Sequence, residues 1–165
     1  MALKPDRSIA DGGTDISYFC NQTNEKGSIM VLSTAGSGAA MDDGAALVIR
    51  PSTVYASGQY LAGLLLCDVV SGDLTKTHLN QHKDEVQVGS KVTLLRRGTV
   101  VTNVISGTVT MGQGAYASAT ASGALCSLAS NSALLTPNPL AIPKVGTWLS
   151  TKDADGFAKV AVNLV

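Results

Sequence analysis

The residue types most able to do chemistry gather in Thr77-His-Leu-Asn-Gln-His-Lys-Asp-Glu85, where His78 and His82 stand four apart. On a helix that spacing would put both imidazoles on one face, as in a helical zinc site. The hydrolytic form of such a site needs Glu directly after the first His, and Leu79 occupies that position. Asp84 and Glu85 would complete a metal shell only if the stretch curled back, so it reads as a polar loop and no metal is expected. Asp153, Asp155 and Gly156 have the spacing of the start of a calcium loop but lack its later bidentate Glu. Gly36-Ser-Gly38 and Gly112-Gln-Gly114 lack the Lys-Ser/Thr of a phosphate-cradling loop and read as turns. With both histidines in one loop, no trio of nucleophile, base and orienting group can be assembled. The expectation is a protein that is not an enzyme and carries no cofactor.

The elements that would position such residues are strands. Leu61-Ala-Gly-Leu-Leu-Leu-Cys-Asp-Val-Val70 is a strand-like run, and in Glu85–Val101 the residues Val86, Val88, Val92 and Leu94 alternate with Gln87, Lys91 and Thr93, broken by a turn at Gly89-Ser90. Period-two alternation predicts sheet. Further strands are expected at Ile29–Leu32, Ala45–Ile49, Thr108–Met111, Ala115–Ala117, Ala124–Cys126 and Lys144–Leu149. Asp155-Gly156 between two alternating runs predicts a closing hairpin. The segment from Ser127 to Pro143 contains Pro137, Pro139 and Pro143 and reads as a long surface loop. Short strands at this spacing, without a three-turn helix, predict an all-β fold, a small β-barrel or sandwich with an extended N-terminal arm.

The chain has 165 residues, one domain's worth, with twelve acidic and twelve basic residues. A neutral balance and a pI near 6.7 argue against a nucleic-acid binder. Arg96-Arg97 is the only adjacent basic pair; it reads either as a solvated strand end or as a contact to an acidic partner surface. Only 15% of residues are charged and the mean hydropathy is positive, which suggests that copies of the chain or a partner cover apolar surface. Ten of the twelve acids are Asp, which suits turns better than helices. Cys20, Cys67 and Cys126 have no metal-ligand spacing and are expected as reduced, buried thiols. No run approaches 18 apolar residues, and no signal-peptide core follows Met1; a soluble protein made in the cytosol, away from membranes, is expected.

The organisation divides into an arm, residues 1–27, and a barrel or sandwich domain, residues 28–165. The arm is polar and turn-rich but carries one apolar patch, Ile16, Tyr18, Phe19 and Cys20. That patch either seeks a partner's groove or covers one end of the chain's own barrel.

The order of these features resembles the capsid cement, or head decoration, proteins of tailed phages. The resemblance is carried by Ala62-Gly-Leu-Leu-Leu-Cys-Asp-Val-Val70, Val86-Gln-Val-Gly-Ser-Lys-Val-Thr-Leu94, Arg97-Gly-Thr-Val100, Met111-Gly-Gln-Gly-Ala-Tyr-Ala117, Ser122-Gly-Ala124, Val145-Gly-Thr-Trp-Leu149 and Asp155-Gly-Phe-Ala-Lys-Val-Ala-Val162. It spans roughly residues 28–165, and Asp15-Ile-Ser-Tyr-Phe19 looks like an added arm. It implies a structural virion protein on the capsid exterior, assembled in the host cytoplasm. Such a protein would bind the major capsid protein as a dimer or trimer and bridge capsomers. Asp15, Ile16, Tyr18 and Phe19 would then be the capsid contacts, with Arg96 and Arg97 as a possible interface. A tail or baseplate protein would share these features; a carbohydrate-binding module would need more exposed aromatics than the 4% present.

Overall fold

The computed structural model describes residues 3–4, 13–33, 47–51, 60–69, 85–118, 120–127 and 144–164. The described residues contain no helix and form thirteen strands. In chain order these are β1 (Leu3–Lys4), β2 (Thr14–Cys20), β3 (Asn24–Glu25), β4 (Ile29–Leu32), β5 (Leu47–Ile49), β6 (Leu61–Val69) and β7 (Glu85–Val86). They continue with β8 (Lys91–Leu95), β9 (Arg97–Thr102), β10 (Gly114–Ala117), β11 (Leu125–Ser127), β12 (Lys144–Trp148) and β13 (Ala158–Asn163). Five of them close a barrel in the order β2-β5-β4-β6-β8, and six form an open sheet in the order β1-β9-β13-β12-β10-β11. The all-β barrel expected from the pattern is therefore present. Within the barrel only β2 and β5 run parallel.

The apolar runs in β4 and β6 do not alternate with polar residues because both faces of these strands are buried. Met30, Ala62 and Leu65 point into the barrel, where they meet Tyr18, Cys20, Val48, Val92 and Leu94. Their neighbours Ile29, Val31, Leu61 and Leu64 point outward and pack on the six-stranded sheet, against Val100, Leu125, Val145, Trp148 and Val160. A register shift in the β4–β6 pairing, where Met30 opposes Gly63 but Val31 opposes Leu61, keeps both sets of side chains on their proper faces. Each fully buried Leu, Ile or Val contributes about 1.5–3 kcal/mol, so strands shared by two cores are the strongest tie between barrel and sheet.

The hairpin at Asp155-Gly156 connects β12 to β13 as expected, with the Gly156 amide donating to the Asp153 carbonyl at 3.0 Å. Gly89 turns between β7 and β8, and β10 pairs antiparallel with β11, the strands expected at Ala115–Ala117 and Ala124–Cys126. Trp148 is wholly buried, and Cys20 and Cys126 are buried free thiols.

Two expectations are corrected. Residues 14–20 are not an arm: β2 is a wall of the barrel, hydrogen-bonded to β8 on one side and β5 on the other. The domain boundary at residue 27 therefore cuts through the body of the fold, and of the first thirteen residues Leu3–Lys4 add a short strand to the edge of β9. Thr108–Met111 is not a strand. Val109 is buried in the core, but Thr110–Gln113 turn back so that the Gly112 amide reaches the Trp148 carbonyl. His78, His82 and the loop interior at 128–143 lie outside the described residues.

Candidate interaction site at the barrel–sheet junction

Arg96 is the single residue between the last barrel strand, β8, and the first long strand of the open sheet, β9. Its backbone is held from both sides. The amides of Arg96 and Arg97 both donate to the Gly13 carbonyl, at 2.6 and 3.1 Å, and the Arg96 carbonyl accepts from the Leu164 amide at 2.8 Å. Gly13 has to be glycine here, since a Cβ on it would fall 2.1 Å from the Arg97 carbonyl oxygen. With the backbone fixed, successive side chains diverge: Arg96 turns to the barrel and Arg97 stands exposed on the outer face of the sheet.

The Arg96 guanidinium meets a carboxylate and a phenol. Its Nη1 lies 3.9 Å from Asp15 Oδ2, and its Nη2 donates to the Tyr60 hydroxyl at 2.5 Å. The guanidinium carbon is 5.8 Å from the centre of the Tyr60 ring, within cation–π range. Asp15 reaches this point because the β2–β8 register shifts between Asp15 and Tyr18. Beneath them Tyr18 is buried, 6% exposed, in the barrel core. Burial is the main cause that holds the Tyr18 hydroxyl above its usual pKa of 10.0; Asp15 and Tyr60 add to the shift and Arg96 opposes it.

The structure thus brings together Asp15, Tyr18 and Arg96, three of the residues singled out from sequence, and adds Tyr60. Sequence reasoning passed over Tyr60 because it stands alone before an apolar strand, 36 residues from Arg96. Phe19 and Arg97 lie apart from the cluster. Phe19 is half-buried on the outside of β2, with Lys91 Nζ 5.5 Å from its ring centre. Ile16 belongs to β2, at the register shift. A buried Tyr18 cannot serve as an anchor on a free arm without opening the barrel; Tyr18 and Cys20 belong to the barrel's own core.

Chemically the cluster can exchange hydrogen bonds and charge with a partner, since a guanidinium, a carboxylate and an exposed phenol share one surface. Of the other motifs, Gly112-Gln113 and Asp153–Gly156 lie in turns, and Gly36-Ser-Gly38 falls outside the described residues. Asp153 Oδ1 accepts from the amides of Asp155 and Phe157, at 3.1 and 2.7 Å, which makes that carboxylate a turn cap. Glu85, once weighed as a metal ligand, pairs directly with Glu25 across β3 and β7. Among the described residues no three His, Cys, Asp or Glu side chains gather as a metal shell. No family model and no curated protein matches this chain.

Proposed function

We propose that the protein is a structural virion component that binds the outside of a tailed-phage capsid and stabilises it by bridging capsomers, with the major capsid protein as its partner. The observation that supports this reading is the mechanical build of the fold. Strands β4 and β6 belong to a closed barrel and, by their outer faces, to the core of the open sheet. A body tied in this way transmits load without internal sliding, because close-packed cores shift between discrete arrangements rather than deform continuously. The order of glycine turns and alternating valines, which resembles that of capsid cement proteins, supports the same reading. Weak contacts repeated around a shell then gain strength through multivalency.

In this reading the capsid contact is made by folded surface, because β2 is a barrel wall. Deleting residues 1–27 would remove a strand of the barrel and abolish folding rather than yield a binding-deficient body.

The test is co-sedimentation of the purified protein with expanded and unexpanded heads that lack it, with light scattering to give its mass in solution. Saturable binding to expanded heads is expected. Binding to neither form would overturn the capsid assignment and direct attention to the tail or baseplate.

A further inference from the structure

Arg50 directly follows barrel strand β5, at a point where other segments converge on it. Its carbonyl accepts from Gln22 Nε2 at 3.3 Å, and the carbonyl of the next residue, Pro51, accepts from Ser122 Oγ at 2.5 Å. Its aliphatic stem lies against Gly123, where a Cβ would fall 2.6 Å from Arg50 Cγ, 2.9 Å from Cδ and 3.1 Å from Nε. Gly123 has a φ of 68°, in the left-handed region, so its backbone and the space for the arginine both call for glycine. The loop that carries Gly123 is itself fixed. Ser118 Oγ accepts from the amides of Thr120 and Ala121, at 3.2 and 3.1 Å, and the Gly123 carbonyl accepts from the Ile29 amide at 2.8 Å. The arginine stem is thus seated in a rigid notch.

The charge it carries is not used by its surroundings. Among the described residues no carboxylate pairs with the Arg50 guanidinium, and its Nε is buried without a hydrogen-bond partner. Arg50 as a whole is partly exposed, and Nε is its only nitrogen both buried and unpaired, so the end that meets solvent is the pair of Nη groups. The polar side chains beside it have spent their donors. The Gln22 amide nitrogen donates to Asn24 Oδ1 at 3.2 Å and to the Arg50 carbonyl, and the Ser122 hydroxyl donates to the Pro51 carbonyl. Gln22 Oε1 and the Ser122 oxygen are left as acceptors on partly exposed residues.

We infer that Arg50 is a docking point for a single Asp or Glu side chain of a protein partner. A guanidinium offers two parallel N–H groups to a carboxylate, and one whose stem is already seated has less freedom to lose when that contact forms. The acceptors on either side suit the backbone N–H groups of the same partner segment. A free phosphate or a nucleic-acid backbone has no donors to offer them, and nucleic-acid affinity depends on neutralising many phosphates rather than one. Docking at Arg50 does not depend on the capsid assignment, so it stands or falls separately from the head co-sedimentation.

The test is an NMR titration of the full chain with a blocked Gly-Glu-Gly peptide, with Gly-Gln-Gly and inorganic phosphate as counter-probes. The Glu peptide is expected to shift the Arg50 Nε resonance and the amides of Ser122 and Gly123, saturably and less at high salt. Arg50→Met, which keeps an unbranched stem in the notch, should abolish the Ser122 and Gly123 shifts while leaving the rest of the spectrum in place. Arg50→Lys, which keeps the charge without the fork, should weaken binding about tenfold. Lys152→Gln, whose Nζ donates to the Gly107 carbonyl elsewhere, should leave it unchanged. No shift at Arg50, equal shifts at Arg96 and Arg97, equal binding of the Gln peptide or an undiminished Arg50→Met response would each overturn the proposal. A phosphate response as strong as that of the Glu peptide would overturn it in favour of a general anion site.

Discussion

The barrel and the open sheet are built from similar short strands, yet they treat their second faces in opposite ways. In the barrel, β4 and β6 bury one face inside and the other against the sheet, so consecutive residues such as Leu64 and Leu65 serve different cores. In the sheet, β9, β12 and β13 bury one face and leave the other to Thr99, Thr147, Ala161 and the basic residues around them. The contrast shows how the described strands place apolar residues on one face or on both. Among the described residues β4 and β6 carry apolar side chains on both faces, while Asp15, Tyr60 and Arg96 gather at the junction.

The largest effect is expected where the sheet strands come closest. A Cβ on Gly146 would fall 1.9 Å from the Ala161 carbonyl oxygen, so Gly146→Val should cost more than about 4 kcal/mol, read as loss of the cooperative transition in thermal unfolding. Next come the two faces of β6. Leu64→Ala and Leu65→Ala should each cost about 2–5 kcal/mol in urea titrations. If one were nearly neutral, the claim that both faces are close-packed would fail.

The third effect depends on pH. The Tyr18 hydroxyl has a raised pKa in the folded state, so folding favours its neutral form. That stabilisation is fully present below pH 10.0, the usual value, and is lost as the pH rises through the higher folded value. Tyr18→Phe should therefore flatten the decline in stability above pH 10, measured as urea midpoints across the alkaline range. An unchanged alkaline slope would place the titration elsewhere.

The smallest effects are electrostatic and exposed. Asp15→Asn should change stability by less than about 1 kcal/mol, because its partner Arg96 keeps the Tyr60 hydroxyl. Glu85→Lys should stabilise by up to about 1 kcal/mol, since Glu25 and Glu85 face each other across β3 and β7.

The sequence made some of this plain and hid the rest for identifiable reasons. The alternation in Lys91–Leu95 and the Asp155-Gly156 turn are local signals, and both elements formed where the pattern placed them. Thr14–Cys20 read as an arm because turn residues flank it on both sides, while its pairing with β5 and β8 is distant in the chain. The strand expected at Thr108–Met111 did not form; Val109 fills the core from an irregular segment. At the junction, Arg96 was visible as half of a basic pair. Its partners Asp15 and Tyr60 could be known only once the barrel had closed.

The most direct test of the account asks whether barrel and sheet unfold as one body. Trp148, the only tryptophan, lies in the core between them, whereas Leu94 lies inside the barrel. Tryptophan emission should therefore follow urea unfolding of Leu94→Ala with a lower midpoint and an unchanged slope, coincident with the loss of strand signal in circular dichroism. A Trp148 transition that stays at the wild-type midpoint while part of the strand signal melts earlier would contradict the shared-strand account.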